Sequence, residues 1–231
     1  ICACLVGSEM CIRDRIDMGK LEANKQQKLT SLLNTAFNLF TTQGVTKTSI
    51  AEISQKAGIA KGTFYLYFKD KYDIRNRLIS HESSKLFKNA VADLEEFSKE
   101  KNEQLGFEEK IIFIINHIVD ELNSNQTLLT FISKNLSWGI FKEALTTKVA
   151  SDDINFKDVY YEMINAEDIS LEEPEIMLFL IVELVSSTCY SAILYKEPAD
   201  IDTIKPYLFK TVRAIIKEHT IRSVSYTHLR A

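Results

Sequence analysis

The chain has 231 residues, 45% apolar and 26% charged, with a formal net charge of −4. That size and balance fit one large or two small globular domains with a sizeable core, and they exclude an unfolded, charge-dominated chain. Only three prolines and seven glycines punctuate it, and the long periodic runs between them predict an all-helical fold with no strands.

The first stretch, "ICACLVGSEMCIRDR", holds three of the four cysteines. It has no positive segment ahead of an apolar one and is a poor signal peptide. It and the closing "SVSYTHLRA" resemble translated sequencing-adaptor DNA. The expected division is a non-native flank at 1–17, a front domain at 18–70, a rear domain at 71–221 and a second flank at 222–231. Without the flanks only Cys189 remains, a small core residue rather than half of a disulfide. No disulfide framework is expected, which fits a reducing cytoplasm.

Helix one is expected from Lys25 to Thr42. Leu29, Leu32, Leu33, Ala36, Phe37 and Phe40 follow the spacing of one apolar face, and Gly44 stands where a C-terminal glycine ends a helix. Helix two opens at Ser49, which with Glu52 makes a capping box. Gly58 permits the tight turn after it. Helix three covers Lys61 to Phe68, and Asp70 caps a fourth helix running from Lys71 toward Glu100. Two short helices around a glycine turn make a helix-turn-helix.

The run "GTFYLYFKDK" sets its aromatics on different faces of helix three. Phe64 and Phe68, four apart, point into the core. Lys61 and Tyr65 share another face, and Thr63 and Tyr67 a third. The charge distribution agrees with an outward basic face. Lys20 to Arg75 carries nine Lys or Arg against four Asp or Glu, a net +5, whereas Asn76 onward carries seventeen against twenty-five, a net −8. A basic front and an acidic rear predict that the front meets a polyanion.

Behind a polar break at 99–106, helical stretches are expected from Phe107, Thr127, Asp152, Glu172 and Asp200, with Pro206 bending or restarting the last. The run from Ile176 to Tyr195 is apolar almost all round. Its length suffices for a membrane span, but Glu183 near its middle and an acidic rather than basic flank favour a helix buried between its own domain and a partner subunit. No nucleotide loop, paired-cysteine motif or nucleophile elbow is present, so no enzyme, metal or cofactor is expected. His117 and Glu121 are four apart on one helix and read as an ordinary polar pair.

The segment "TSIAEISQKAGIAKGTFYLYFKDKYDI", Thr48 to Ile74, resembles the DNA-binding signature of TetR/AcrR-type transcriptional repressors. The resemblance covers about fifty residues with helix one included. It implies an all-α homodimer with an N-terminal three-helix DNA-binding domain and a C-terminal domain for effector binding and dimerisation. It implies DNA contacts at Ser49, Lys61, Gly62, Thr63, Tyr65, Tyr67 and Lys71, with Lys71 reaching a phosphate. Ala60 departs from the family's capping Ser or Thr, and Leu66 stands where a His or aromatic is frequent. For the rear, the expected effector contacts are Trp138, Phe141, Tyr161 and Glu183, the last attracting a cationic effector. The expected dimer contacts are Leu184, Ile193, Leu208 and Val212. The implied function is a ligand-responsive, cytoplasmic repressor on a palindromic operator, with double-stranded DNA and a small molecule as partners and no membrane. The alternative is a small-molecule binding protein of the same fold without an operator.

Overall fold

The computed structural model of the chain describes residues 6–101, 104–135, 156–167 and 169–221. Among these, every regular element is a helix: α1 (Val6–Thr42), α2 (Ile50–Lys56), α3 (Lys61–Tyr67), α4 (Lys71–Lys101), α5 (Phe107–Ser124), α6 (Gln126–Asn135), α7 (Phe156–Ala166), α8 (Pro174–Leu194) and α9 (Ile201–His219). Two compact units result, one ending at Leu78 and the other beginning at Ile79, so the boundary falls inside α4.

The front unit forms where the apolar spacing says it should. Leu32, Leu33, Ala36, Leu39 and Phe40 of α1 are buried with Ile53 of α2, Phe64 and Phe68 around α3, and Ile74 and Leu78 of α4. Phe64 and Phe68 pack ring to ring, with centroids 5.5 Å apart. Each is completely or almost completely removed from solvent, which stabilises the unit by about 2–3 kcal/mol per ring. The turns close on glycines with left-handed backbone, Gly44 at φ +85° and Gly58 at φ +69°, where a side chain would be strained. α1 starts earlier than the periodicity predicts and ends at the predicted Thr42.

The rear unit is a bundle. α8 packs on α9, α6 and α5, and α5 also contacts α6 and α9. Asp200 caps α9 through the Thr203 N–H. Pro206 lies within α9 without ending it. The carboxylate of Glu167, just after α7, accepts the first N–H of α5 at Phe107 and pairs with Lys110 at 2.6 Å, tying α5 to the chain sixty residues on. By length and composition α8 would suffice to cross a bilayer; its Met177, Leu178, Ile181, Ala192 and Ile193 are buried within the bundle. Cys189 is fully buried, and burial pushes its thiol up to about 12.

Candidate nucleic-acid interface and effector cavity

α3 is short, and its two faces are sharply different. Phe64 and Phe68 are inside, while Lys61, Gly62, Tyr65, Leu66 and Lys69 are exposed. Thr63 and Tyr67 sit at the margin, half-buried, rather than fully outward as their spacing predicts. At about 100° per residue they lie beside the phenylalanine face instead of opposite it. Ala60 begins the helix with no side-chain cap, as its methyl dictates.

Ser49 caps α2, its Oγ accepting the Glu52 N–H at 3.2 Å. The carboxylate of Glu52 is held by Gln43 Nε2 at 2.8 Å and Lys56 Nζ at 3.2 Å. Those bonds, led by Gln43, hold it below the usual carboxylate range. Asp70 caps α4, accepting the N–H groups of Tyr72 and Asp73 at 2.7 and 2.9 Å, and these two bonds lower its pKa. Asp73 in turn accepts the Lys69 N–H and pairs with Arg77 at 3.0 Å.

Lys71 corrects an expectation. Its ammonium donates to the carbonyls of Val45 and Thr46 at 3.0 Å each and of Thr48 at 3.3 Å. An ammonium has three donors, and these three carbonyls take all of them. Lys71 therefore fastens the start of α4 to the loop before α2 instead of presenting a free cation to phosphate. Two contributors went unread in the sequence. Thr48 is buried, its hydroxyl donating to the Gly44 carbonyl at 2.8 Å, so it closes the same loop from inside. Tyr72 is half exposed and lies under both the Lys71 ammonium and the Arg75 guanidinium, 5.6 and 5.3 Å from its ring centre.

The rear unit contains an apolar cavity of about 170 Å³. α4 contributes Ser83, Ser84, Leu86 and Phe87, α5 contributes Ile114, Ile115 and Ile118, and α7 and α8 contribute Met163, Met177, Ile181 and Val182. No described lining residue carries a charge. Glu183 is exposed and outside the lining, which removes the reason to expect a cationic effector. Tyr161 is half-buried beneath the Lys157 ammonium, 5.7 Å away, and does not line the cavity. Its neighbour Tyr160 does, with its hydroxyl donating to the Pro174 carbonyl at 3.0 Å, and burial raises its pKa. Trp138 and Phe141 lie outside the described residues.

Of the expected dimer residues, Ile193, Leu208 and Val212 are buried within a single chain and Leu184 is half-buried. The large apolar groups that α8 and α9 do present to solvent are Ile176, Leu180 and Tyr207. His117, on α5, sits between carboxylates, Asp93 at 3.0 Å and Glu121 at 3.5 Å. No metal-binding cluster occurs among the described residues.

The front unit is a helix-turn-helix with lysines and tyrosines exposed around α3, and the rear unit is a helical bundle with an apolar cavity. Residues 32–78, which span the helix-turn-helix, match the family model of bacterial regulatory proteins, tetR family. The AcrR transcriptional regulator of Shigella flexneri is 40% identical over 55 residues, 24% of this chain and 26% of that one. The fatty acid metabolism regulator protein of Bacillus subtilis is 31% identical over 93 residues, 40% of this chain and 44% of its own. These matches thus span between a quarter and under half the length of the curated relatives. The structure of the regulator FadR from Bacillus subtilis, in complex with stearoyl-CoA, shares the fold at a TM-score of 0.50 and 16% identity, over 79% of this chain and 96% of that one.

Proposed function

We propose that the protein is a ligand-responsive transcriptional repressor, cytoplasmic, that binds a near-palindromic operator as a homodimer, with two copies of α3 in successive major grooves. The observation that carries this reading is the outer face of α3. Lys61, Gly62 and Tyr65 are exposed on it, with Lys69 exposed just past its end, while two phenylalanines, Phe64 and Phe68, are buried behind. Lysine ammoniums and tyrosine hydroxyls suit phosphate oxygens, which fix register on a duplex. Thr63 and Tyr67 border this face, and Ser49 at the start of α2 is assigned to the same contact set; Lys71 fastens the start of α4 to the loop before α2.

The two-fold contact is assigned to α8 and α9 through Ile176, Leu180 and Tyr207, an isologous surface. The effector is assigned to the rear cavity. Its uncharged lining favours a hydrocarbon, and the fatty acid regulator among the relatives, with the acyl-CoA in FadR, points to an acyl chain. A cavity of about 150 Å³ holds benzene, so 170 Å³ accepts a short chain segment as it stands. An effector releases DNA only by binding one conformation better than the other. α4 supplies cavity wall at Ser83 to Phe87 and carries Lys71 in its first turn, which makes it the coupling element.

The experiment is binding of the purified chain to duplex DNA flanking its own gene, at two salt concentrations. Specific, salt-sensitive binding that Tyr65→Ala and Lys61→Ala weaken supports the reading. A folded dimer, stripped of ligand, that binds no such DNA refutes it and leaves a small-molecule binding protein.

A further inference from the structure

Leu66 is the most exposed of the described large apolar side chains, with 82% of its surface open to solvent. An isolated exposed leucine means little by itself. Its direction and neighbours are what matter. At about 100° per residue it points about 160° away from the buried Phe64, so it stands on the outer face of α3. Its neighbour one turn back is Gly62, with no side chain to crowd it. Lys61 opens α3 and Lys69 follows its end, and neither has an ion-pair partner among the described residues. Two lysines within a nine-residue segment disfavour a purely apolar protein partner, and the front segment's net +5 selects a polyanion as the occupant.

We propose that Leu66 is a specificity-determining residue that reads the C5-methyl group of a thymine in the major groove. The inference rests on the operator-binding reading above and adds a base to it. A leucine has no hydrogen-bonding atom and cannot hold a phosphate. Of the groups at the major-groove edge of the bases, the thymine methyl is the one that an apolar side chain matches, and it distinguishes thymine from cytosine and from both purines. Lys61 and Lys69 position the helix on the backbone, and Leu66 supplies sequence information they cannot.

The test begins with selection of bound duplexes from a randomised library by the wild-type chain. Each thymine in the enriched site is then replaced, one at a time, by deoxyuridine, which lacks only the methyl. The expected result is one thymine per half-site whose replacement weakens wild-type binding about fourfold, the worth of one buried methyl-sized group. Leu66→Ala is expected to bind both duplexes alike, and Leu66→Asn to enrich a different base at that position. Because Leu66 is exposed, both variants should melt with the wild-type chain, which a thermal scan checks. Wild-type binding indifferent to every deoxyuridine, or Leu66→Ala as sensitive as wild type, overturns the assignment while leaving the operator reading intact. Failure to enrich any duplex defeats the operator reading itself, and this assignment with it.

Discussion

Gly62→Ala separates what the fold wants from what the DNA wants. Gly62 is the second residue of α3, exposed, and a Cβ built there meets nothing within 4 Å. Its φ is outside the left-handed region that Gly44 and Gly58 occupy. The chain therefore has no internal reason for glycine at this position, and alanine would restrict the unfolded chain and favour the helix. The gain expected is about 0.4–1 kcal/mol, or about 2–4 °C per kcal/mol in melting temperature for a chain of this size. If the start of α3 lies against a DNA groove, the same methyl enters the space the duplex needs. The affinity for the selected duplex should then fall tenfold or more, about 1.4 kcal/mol. The assay pairs a calorimetric melt with fluorescence anisotropy on labelled duplex. A stabilised variant that binds DNA as well as wild type would show that no close approach occurs at Gly62. A destabilised variant would show that the space around it is not free.

Lys71→Ala removes three hydrogen bonds to carbonyls before α2 and should lower stability by about 1.5 kcal/mol, read by urea unfolding. The salt dependence of DNA affinity should keep its slope, whereas loss of a true phosphate contact would reduce it by about one. Asp70 has a lowered folded pKa, so its contribution is complete above the unfolded value of 3.8 and is lost as pH falls through the folded one. Asp70→Asn should flatten the decline in stability that the wild-type chain shows below about pH 5; parallel acid-unfolding curves would contradict this. Leu180→Lys should give folded monomers by light scattering, whereas Ile193→Lys, at a buried position, should unfold the rear unit; the opposite pattern would return the interface to Ile193. Val182→Phe fills cavity space and should keep or raise the melting temperature while abolishing the thermal shift that a medium-chain fatty acid gives to wild type. A persisting shift would place the ligand elsewhere.

Local chemistry made much of the front unit legible. Ser49, Asp70 and Asp200 are caps that bond to N–H groups two or three residues on, and such contacts are written in adjacent letters. The core pair Phe64 and Phe68 follows from helical spacing alone. Lys71 failed because its carbonyl partners lie 23 to 26 residues away, where no short pattern can announce them. Tyr160 and Tyr161 show a different limit. Neighbours on a helix differ by about 100°, so a small error of phase exchanges a cavity residue for a surface one. α8 is the extreme case. Apolar side chains on nearly every side leave no polar stripe to set its phase, and the sequence placed Glu183 inward and Ile193 outward, the reverse of their positions.

That ambiguity in α8 is itself informative about function. A helix that buries one face in its own bundle normally turns a polar face outward, because exposed apolar surface invites association. α8 instead exposes Ile176 and Leu180 at 50% and 42%, and α9 exposes Tyr207. In the front unit the exposed large apolar side chains, Leu21, Tyr65, Leu66 and Tyr72, are spread over three helices. A monomeric protein gains nothing from the first arrangement, while a two-fold dimer needs it. Pairing two copies through α8 and α9 would set the separation of two α3 helices, and half-site spacing on DNA is fixed by the duplex at about one helical turn. A small ligand in the α4-lined cavity then needs only a modest preference for one α4 position. A preference of about 2 kcal/mol per protomer changes the equilibrium between two arrangements about thirtyfold, and two protomers acting together change it about a thousandfold. The acyl-chain reading is refuted as a switch if a saturating medium-chain fatty acid raises the melting temperature yet leaves DNA affinity unchanged, since a ligand that binds both arrangements equally shifts neither.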